Sequence, residues 1–341
     1  MRRARASDRE AVLSFATRTF DGWDYIPQVW DEWITADEGV LLVATRPDED
    51  RPIAVTRVVL LSDDEGWLEG IRVDPVLRGR GVATNLQIAE LAWAHAHHLR
   101  VVRYMTDQGN EGSVRLGAHH GFAVIGDLRS HGRSRDVDRG PGDRPSTLAA
   151  LDAAGVLVRR DADEPTIEAA WRIVEMDATF QAGGRLYEDR PWAIQRLDRE
   201  RFEAHVRAGE VLFDAAGPAV AIMPGNAALA DDDRPHFATV AGDGIGALRL
   251  ALAAEAAAGQ GIVTRLTDPA PIFDDPAVVE AWAAAGLGAR ERVYHLLERQ
   301  LPVGETLPRP EPDDALLFRE TPTQVAIAPK IGSAQRIGAG W

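Results

Sequence analysis

In the run Val73-Asp74-Pro75-Val76-Leu77-Arg78-Gly79-Arg80-Gly81-Val82-Ala83-Thr84, arginines alternate with glycines just before a helical pattern begins. Residues of these types at this spacing suit phosphate binding. Gly79 and Gly81 let the backbone approach a ligand, Arg78 and Arg80 bring positive charge, and the start of a helix presents unpaired amides and the positive end of its dipole. The flanking residues must supply the framework. Residues 67–73 alternate with the period of a strand, and Val82, Leu86, Ala89, Trp93 and Ala96 recur at helical spacing, so the loop is expected to join a strand to a helix. A Walker A loop is excluded because no Gly-Lys-(Ser/Thr) follows, and the glycines lack the G-x-G-x-x-G spacing of a dinucleotide site.

At 341 residues the chain is long enough for two compact units, and its 45% hydrophobic content supports real cores. The chain has no cysteine, which removes disulfides, thiolate metal sites and cysteine nucleophiles. A net charge of -15 argues against nucleic acid as a partner, although a local basic loop can still hold an anionic cosubstrate. No apolar run approaches the ~20 residues of a membrane span, and the basic start Met1-Arg2-Arg3-Ala4-Arg5 runs into a polar helix. A soluble, cytoplasmic protein without a membrane partner is expected, and a homodimer is compatible with everything in the sequence.

Ser7 with Glu10 reads as a capping box for a first amphipathic helix continuing to Phe20. Strands are expected over 40–45, 53–61 and 67–73, then helix 82–98, strand 101–106, helix 111–120 and strand 122–128. Residues 129–146, rich in Arg, Asp, Gly, Pro and Ser, mark a connection, which places domain boundaries at 1–145, 146–301 and a tail 302–341. Within the tail, Leu316 to Phe318 and Val325 to Ala328 are candidate short strands. The second half echoes the first: a Gly-rich loop 241–246, helix 247–258, strand 261–267, helix 276–285 and a Gly-Leu pair at Gly286-Leu287. Gly242-x-Gly244-x-x-Ala247 with Asp268 also fits a dinucleotide fingerprint, but a decayed copy of the first loop explains the same residues together with the elements that follow.

Arg78-x-x-Gly81-x-Ala83, preceded by Val-x-Pro, resembles the (Gln/Arg)-x-x-Gly-x-(Gly/Ala) loop of the GNAT acyltransferase superfamily, and the element order of the first ~130 residues is similar to that fold. The resemblance implies a mixed-sheet α/β fold in tandem, with a degenerate second copy, and acetyl-CoA as cosubstrate. The loop from Arg78 to Thr84 would then hold the pyrophosphate, the backbone at Ile71, Arg72 and Val73 the thioester and pantetheine, and Asn110 would contact CoA or cap its helix. Glu69 is the candidate base for the amine, with pairing to Arg57 or Arg72 as the alternative. Gly117 stands where such enzymes commonly place the tyrosine that protonates the thiolate, leaving Tyr104, His119, His120 or solvent for that role. No metal is implied. His95, His97 and His98 have ligand-like spacing but also suit a cationic helix end.

Phe20 to Trp33 is dense in aromatics and carboxylates, and in this fold that region walls the acceptor site. Asp24 or Asp31 are candidates for an ammonium, and Trp23 or Tyr25 for stacking on it; a staple fastening a helix to the sheet explains them equally. Asp24-Tyr25-Ile26-Pro27, Trp33, Glu69-Gly70-Ile71-Arg72-Val73-Asp74-Pro75 and Ala285-Gly286-Leu287-Gly288 together resemble the vertebrate histidine N-acetyltransferases. An N-acetyltransferase acting on a small-molecule amine, such as histidine or another amino acid, is expected, with Arg72 a candidate carboxylate partner. A protein or antibiotic acetyltransferase and a non-catalytic acyl-CoA sensor are the alternatives.

Overall fold

The structure, a computed structural model, describes residues 1–17, 24–46, 49–132, 162–190, 192–224, 236–258, 263–268, 275–302 and 304. Two compact units emerge. The first comprises residues up to Ile125 and takes the chain back from Leu296; the second runs from Gly126 to His295. The boundary expected near 145 lies outside the described residues.

In the first unit, β1 (Arg2–Arg3), β2 (Gly39–Thr45), β3 (Pro52–Leu60) and β4 (Glu65–Val73) pair antiparallel in that order, and β5 (Val101–Asp107) joins β4 in parallel. Helices α1 (Arg9–Ala16) and α2 (Ile26–Trp33) bury Val12, Phe15, Ile26, Trp30 and Trp33 against Leu41, Val43 and Val55. On the other face, α3 (Val82–Ala96) packs Ala89 and Trp93 with Leu42, Val58 and Leu68. Covered on both faces, β2 is apolar throughout its middle, as its Val-Leu-Leu-Val-Ala run requires. The Ser7–Glu10 capping box does not form. A 3₁₀ turn, Ala6–Asp8, precedes α1, and the Asp8 carboxylate accepts the Arg5 N–H at 2.7 Å and pairs with Arg2 at 2.7 Å. The expected first helix ends at Ala16, and 18–23 lie outside the described residues.

After α4 (Glu111–His119), β6 (Ala123–Gly132) carries the chain into the second unit. What completes the first unit beyond β5 is the end of the last strand, β14 (Ala289–Gln300). Leu297 and Leu301 enter the core beside Tyr104 and Phe122, and the Leu301 N–H reaches the Arg100 carbonyl at 2.7 Å. Arg103, 1% exposed, pairs with Glu65 and, at 2.7 Å, with Glu298.

The second unit contains α5 (Glu164–Met176), α6 (Ala178–Ala182) and α7 (Arg199–Ala208), each started by an aspartate cap: Asp163, Asp177 and Asp198. The hairpin β7 (Leu186–Arg190) and β8 (Ala193–Arg196) lies between α6 and α7. An antiparallel trio follows, β9 (Val211–Asp214), β10 (Ala219–Ile222) and β12 (Thr239–Gly242), with the short β11 (His236–Phe237) before its last member. Then come α8 (Gly244–Ala258), β13 (Val263–Asp268), α9 (Pro276–Ala284) and β14. The sequence strand, strand, strand, helix, strand, helix, strand is that of β2 to β6. Alternation along β10 repeats the two-sided burial, Val220 and Ile222 facing α5 and α7 while Ala219 and Ala221 face α8. The architecture is a mixed-sheet α/β fold whose element order occurs twice. Residues 305–341, including both candidate tail strands, lie outside the described residues.

Candidate active site

Beyond β4, the Asp74 side chain accepts from the Val76 N–H and starts the 3₁₀ turn Pro75–Leu77, which delivers the chain to the Arg-Gly loop. Gly79 and Gly81 have φ of +74° and +80°, the left-handed region, and a Cβ at either would meet nothing within 4 Å. Backbone conformation thus selects glycine, and the surface above it is open. Arg78 and Arg80 are exposed and pair with no carboxylate among the described residues. No side chain caps the start of α3, so the amides of Val82, Ala83 and Thr84 retain their capacity for an anion.

The corresponding loop before α8 is filled by the protein itself. Asp177 accepts the Gly242 N–H at 2.7 Å, and Asp243 accepts that of Gly246 at 2.7 Å. A Cβ on Gly242 would sit 2.2 Å from the Pro218 carbonyl oxygen, and one on Gly246 2.1 Å from that of Gly217. These glycines allow the turn between β9 and β10 to press against the helix start. At Gly242 and Gly246 they leave a dinucleotide neither a free amide nor space.

On β4, residues 70 and 71 oppose the single residue Thr56, because the register with β3 shifts between Arg57↔Glu69 and Val55↔Arg72. This bulge puts Gly70 at φ +72°, against the Trp33 ring, where a Cβ would lie 2.6 Å from the ring carbon Cζ3. Parallel pairing with β5 ends at Trp67↔Arg103. The two strands therefore diverge, and the edge carrying Ile71, Arg72 and Val73 has no ladder partner on the β5 side.

Glu69 lies on the face opposite Leu68, towards α2. Its partner is Arg57, whose Nη1 donates to Oε1 at 2.7 Å and whose guanidinium lies 5.2 Å from the centre of the Trp33 ring. Arg72 turns elsewhere. It meets Asp24 at 2.6 and 3.4 Å, donates to the Ile71 carbonyl at 3.0 Å, and lies 5.2 Å from the Tyr25 ring centre. Asp24 is buried and also accepts the Ile26 N–H at 3.0 Å, so protein donors occupy both carboxylate oxygens. Burial pushes the Tyr25 hydroxyl up to about 12. Tyr25 meets Trp33 edge-on at 5.8 Å. Asp31 lies on the exposed side of α2, 3.5 Å from Arg9. Of the acceptor candidates, Tyr25 and Asp24 are brought beside β4 while Asp31 is not, and Trp23 lies outside the described residues. Asp24 and Tyr25 precede α2, which holds Asp31 and which Ile26, Trp30 and Trp33 fasten to the sheet.

Tyr104 projects from β5 towards α4. Its hydroxyl donates to the Ser113 carbonyl at 2.9 Å and occupies the space a side chain at position 117 would need. Burial pushes this hydroxyl up to about 12. The Asn110 side chain accepts the Ser113 N–H at 3.2 Å and so caps α4. His119 is exposed, and burial lowers His120. His97 stacks on Trp93 at 3.7 Å, and no cluster of three metal-ligating residues occurs among the described residues.

Of the two arginines the sequence offers Glu69, the structure selects Arg57, and sequence reasoning missed Glu90, which sits in the middle of the buried face of α3. Thr56 hydrogen-bonds the Glu90 carboxyl and lies 3.3 Å from the Glu69 carbonyl oxygen, immediately behind the bulge. Burial pushes Glu90 up to about 8, so it is largely protonated at neutral pH.

Residues 9–122 match the Acetyltransferase (GNAT) family. The match is to an acetyltransferase domain and spans part of the chain. Its limits enclose the open loop, the β4 bulge, Glu69 and Tyr104. No curated protein matches the chain significantly. Among solved structures, a GCN5-related N-acetyltransferase from Sphaerobacter thermophilus is 16% identical with a TM-score of 0.54, over 90% of this chain and 96% of that one. The likeness extends the shared fold beyond the GNAT domain into the second unit. A GCN5-related N-acetyltransferase from Kribbella flavida (14% identity, TM-score 0.43, 88% and 70% covered) and a ribosomal-protein-alanine N-acetyltransferase from Brucella melitensis (22%, 0.32, 38% and 86%) are also similar. No described helix is long and apolar enough to cross a membrane.

Proposed function

We propose that the protein transfers the acetyl group of acetyl-CoA directly to the amine of a small molecule, with histidine or another amino acid as acceptor. The observation that carries this reading is the contrast between the two Gly-rich loops. Only the first keeps left-handed glycines beneath open space, arginines that pair with no carboxylate among the described residues, and an uncapped helix start.

In this reading the loop binds the pyrophosphate, and the diverging edge of β4 receives the pantetheine and thioester. Glu69 removes a proton from the acceptor ammonium, directly or through water, and the neutral amine then adds to the thioester carbonyl. Amides on the β4 edge stabilise the oxyanion. Collapse breaks the carbon–sulfur bond as the added nitrogen gives up its remaining extra proton to solvent, which leaves a neutral amide, and Tyr104 gives its hydroxyl proton to the thiolate, with solvent restoring it. Tyr104 delivers that hydroxyl from the strand into space left by Gly117 on the helix.

The test is release of thiol from acetyl-CoA across amino acids, polyamines, aminoglycosides and basic peptides, free of protein background because the chain has no cysteine. Saturable turnover with an amino acid supports the reading. Turnover confined to peptides or aminoglycosides moves the acceptor class, and CoA binding without turnover overturns the catalytic assignment.

A further inference from the structure

Arg57 and Glu69 form an ion pair on the acceptor side of β4, with side chains 7% and 21% exposed. The guanidinium uses one nitrogen for Glu69. Its Nη2 stands 3.8 Å from Glu38, beyond hydrogen-bonding distance, and Nε has no hydrogen-bond partner among the described residues. A buried guanidinium with donors to spare is costly unless something accepts from them. Its position is fixed. One face lies over Trp33, and Trp33 is itself wedged against Gly70 at the bulge. Arg72, the other buried arginine on this face, is committed to Asp24 and Tyr25.

A cation and an anion held side by side complement a molecule that carries the same two charges in opposite order. An α-amino acid is such a molecule, since its ammonium and carboxylate sit on one carbon. We infer that the acceptor carries a carboxylate next to its amine, and that the pair reads both groups, Arg57 the carboxylate and Glu69 the ammonium. This inference rests on the acetyl-transfer reading above. It makes Arg57 the specificity-determining residue and disfavours polyamines, lysine side chains and decarboxylated amines. The planar fork of arginine suits a carboxylate, and burial strengthens the contact by excluding water.

The experiment compares matched sets: histidine, histamine and histidinamide, then phenylalanine, phenethylamine and phenylalaninamide, each with saturating acetyl-CoA. The amino acid should exceed its amine and amide by roughly 10- to 100-fold in kcat/KM, chiefly through KM. Arg57→Met should collapse that preference to within a few fold, and Arg57→Lys, which keeps charge without the fork, should retain part of it. If the arginine variants do not fold, the wild-type preference alone decides. Equal use of amino acid, amine and amide by the wild type overturns the carboxylate requirement while leaving acetyl transfer standing. Absence of turnover with every amine overturns the acetyl-transfer reading and this inference with it.

Discussion

The hydroxyl of Tyr104 lies where a side chain on Gly117 would begin: a Cβ there would stand 2.0 Å from the phenolic oxygen. Strand and helix exclude one another at this point, so a tyrosine on β5 is compatible only with glycine on α4. Gly117→Ala should cost about 1–3 kcal/mol of stability through overpacking, read from urea denaturation. Tyr104→Phe alone should cost about 1 kcal/mol through the lost bond to Ser113, yet in the double variant it should recover part of the Gly117→Ala loss. Additive losses would show that the two residues do not compete for this space. The same Tyr104→Phe protein should lose about 100-fold in kcat if the hydroxyl protonates the thiolate.

Equivalent substitutions in the two loops should separate binding from packing. Arg78→Ala should raise the KM for acetyl-CoA by about tenfold with little change in stability, because an exposed, unpaired arginine is lost. Gly246→Ala should leave that KM unchanged but destabilise the protein by about 2 kcal/mol or more, since its methyl group meets the Gly217 carbonyl. A rise in KM from Gly246→Ala would mean that the second loop also serves the cosubstrate.

Glu90 ties stability to pH. Its carboxyl is raised from 4.5 to about 8, so the folded protein holds a proton that the unfolded chain releases over that interval. Its contribution is full below about 4.5, falls by up to about 1.4 kcal/mol per pH unit as pH rises, and is level above about 8. Glu90→Gln removes this slope. The urea midpoint of the variant should gain on the wild type steadily between about pH 5 and pH 8, and a constant difference would show that Glu90 does not titrate in this interval.

The first unit should depend on the far end of the chain. Glu298→Ala leaves Arg103 buried beside Glu65 alone and should cost about 3 kcal/mol. A chain ending at residue 132, although it contains the whole GNAT match, should lack a cooperative thermal transition because Leu297 and Leu301 are missing from its core. A sharp transition from that fragment would show that the last strand is dispensable.

The sequence was most legible where short-range rules act. The strand alternation before Val73 and the helical spacing after Gly81 place the loop, and the structure adds the left-handed glycines and the open surface. Long-range partners were hidden. Glu69 has two nearby arginines in sequence terms, and only register, with the bulge at Gly70, turns Arg57 towards it and sends Arg72 to Asp24. Glu90 sits at a core position of α3, and no periodicity explains a carboxyl there until Thr56 is seen opposite. No individual helix or strand is read over 146–240, although aspartates 163, 177 and 198 each begin a helix and carry a readable signal. The return of the chain at Leu296 had no local signature, because a strand shows its alternation but not its neighbours.

The most direct measurement pairs CoA released with N-acetylated product formed, quantified by thiol assay and mass spectrometry for histidine and related amino acids, in the wild type and in Glu69→Gln. One acetylated amine per thiol, with kcat reduced about 100-fold or more in Glu69→Gln while acetyl-CoA binding is retained, is the expected result. Thiol release without an acetylated amine, or equal turnover by Glu69→Gln across the pH range, is inconsistent with direct transfer to an amine deprotonated by Glu69.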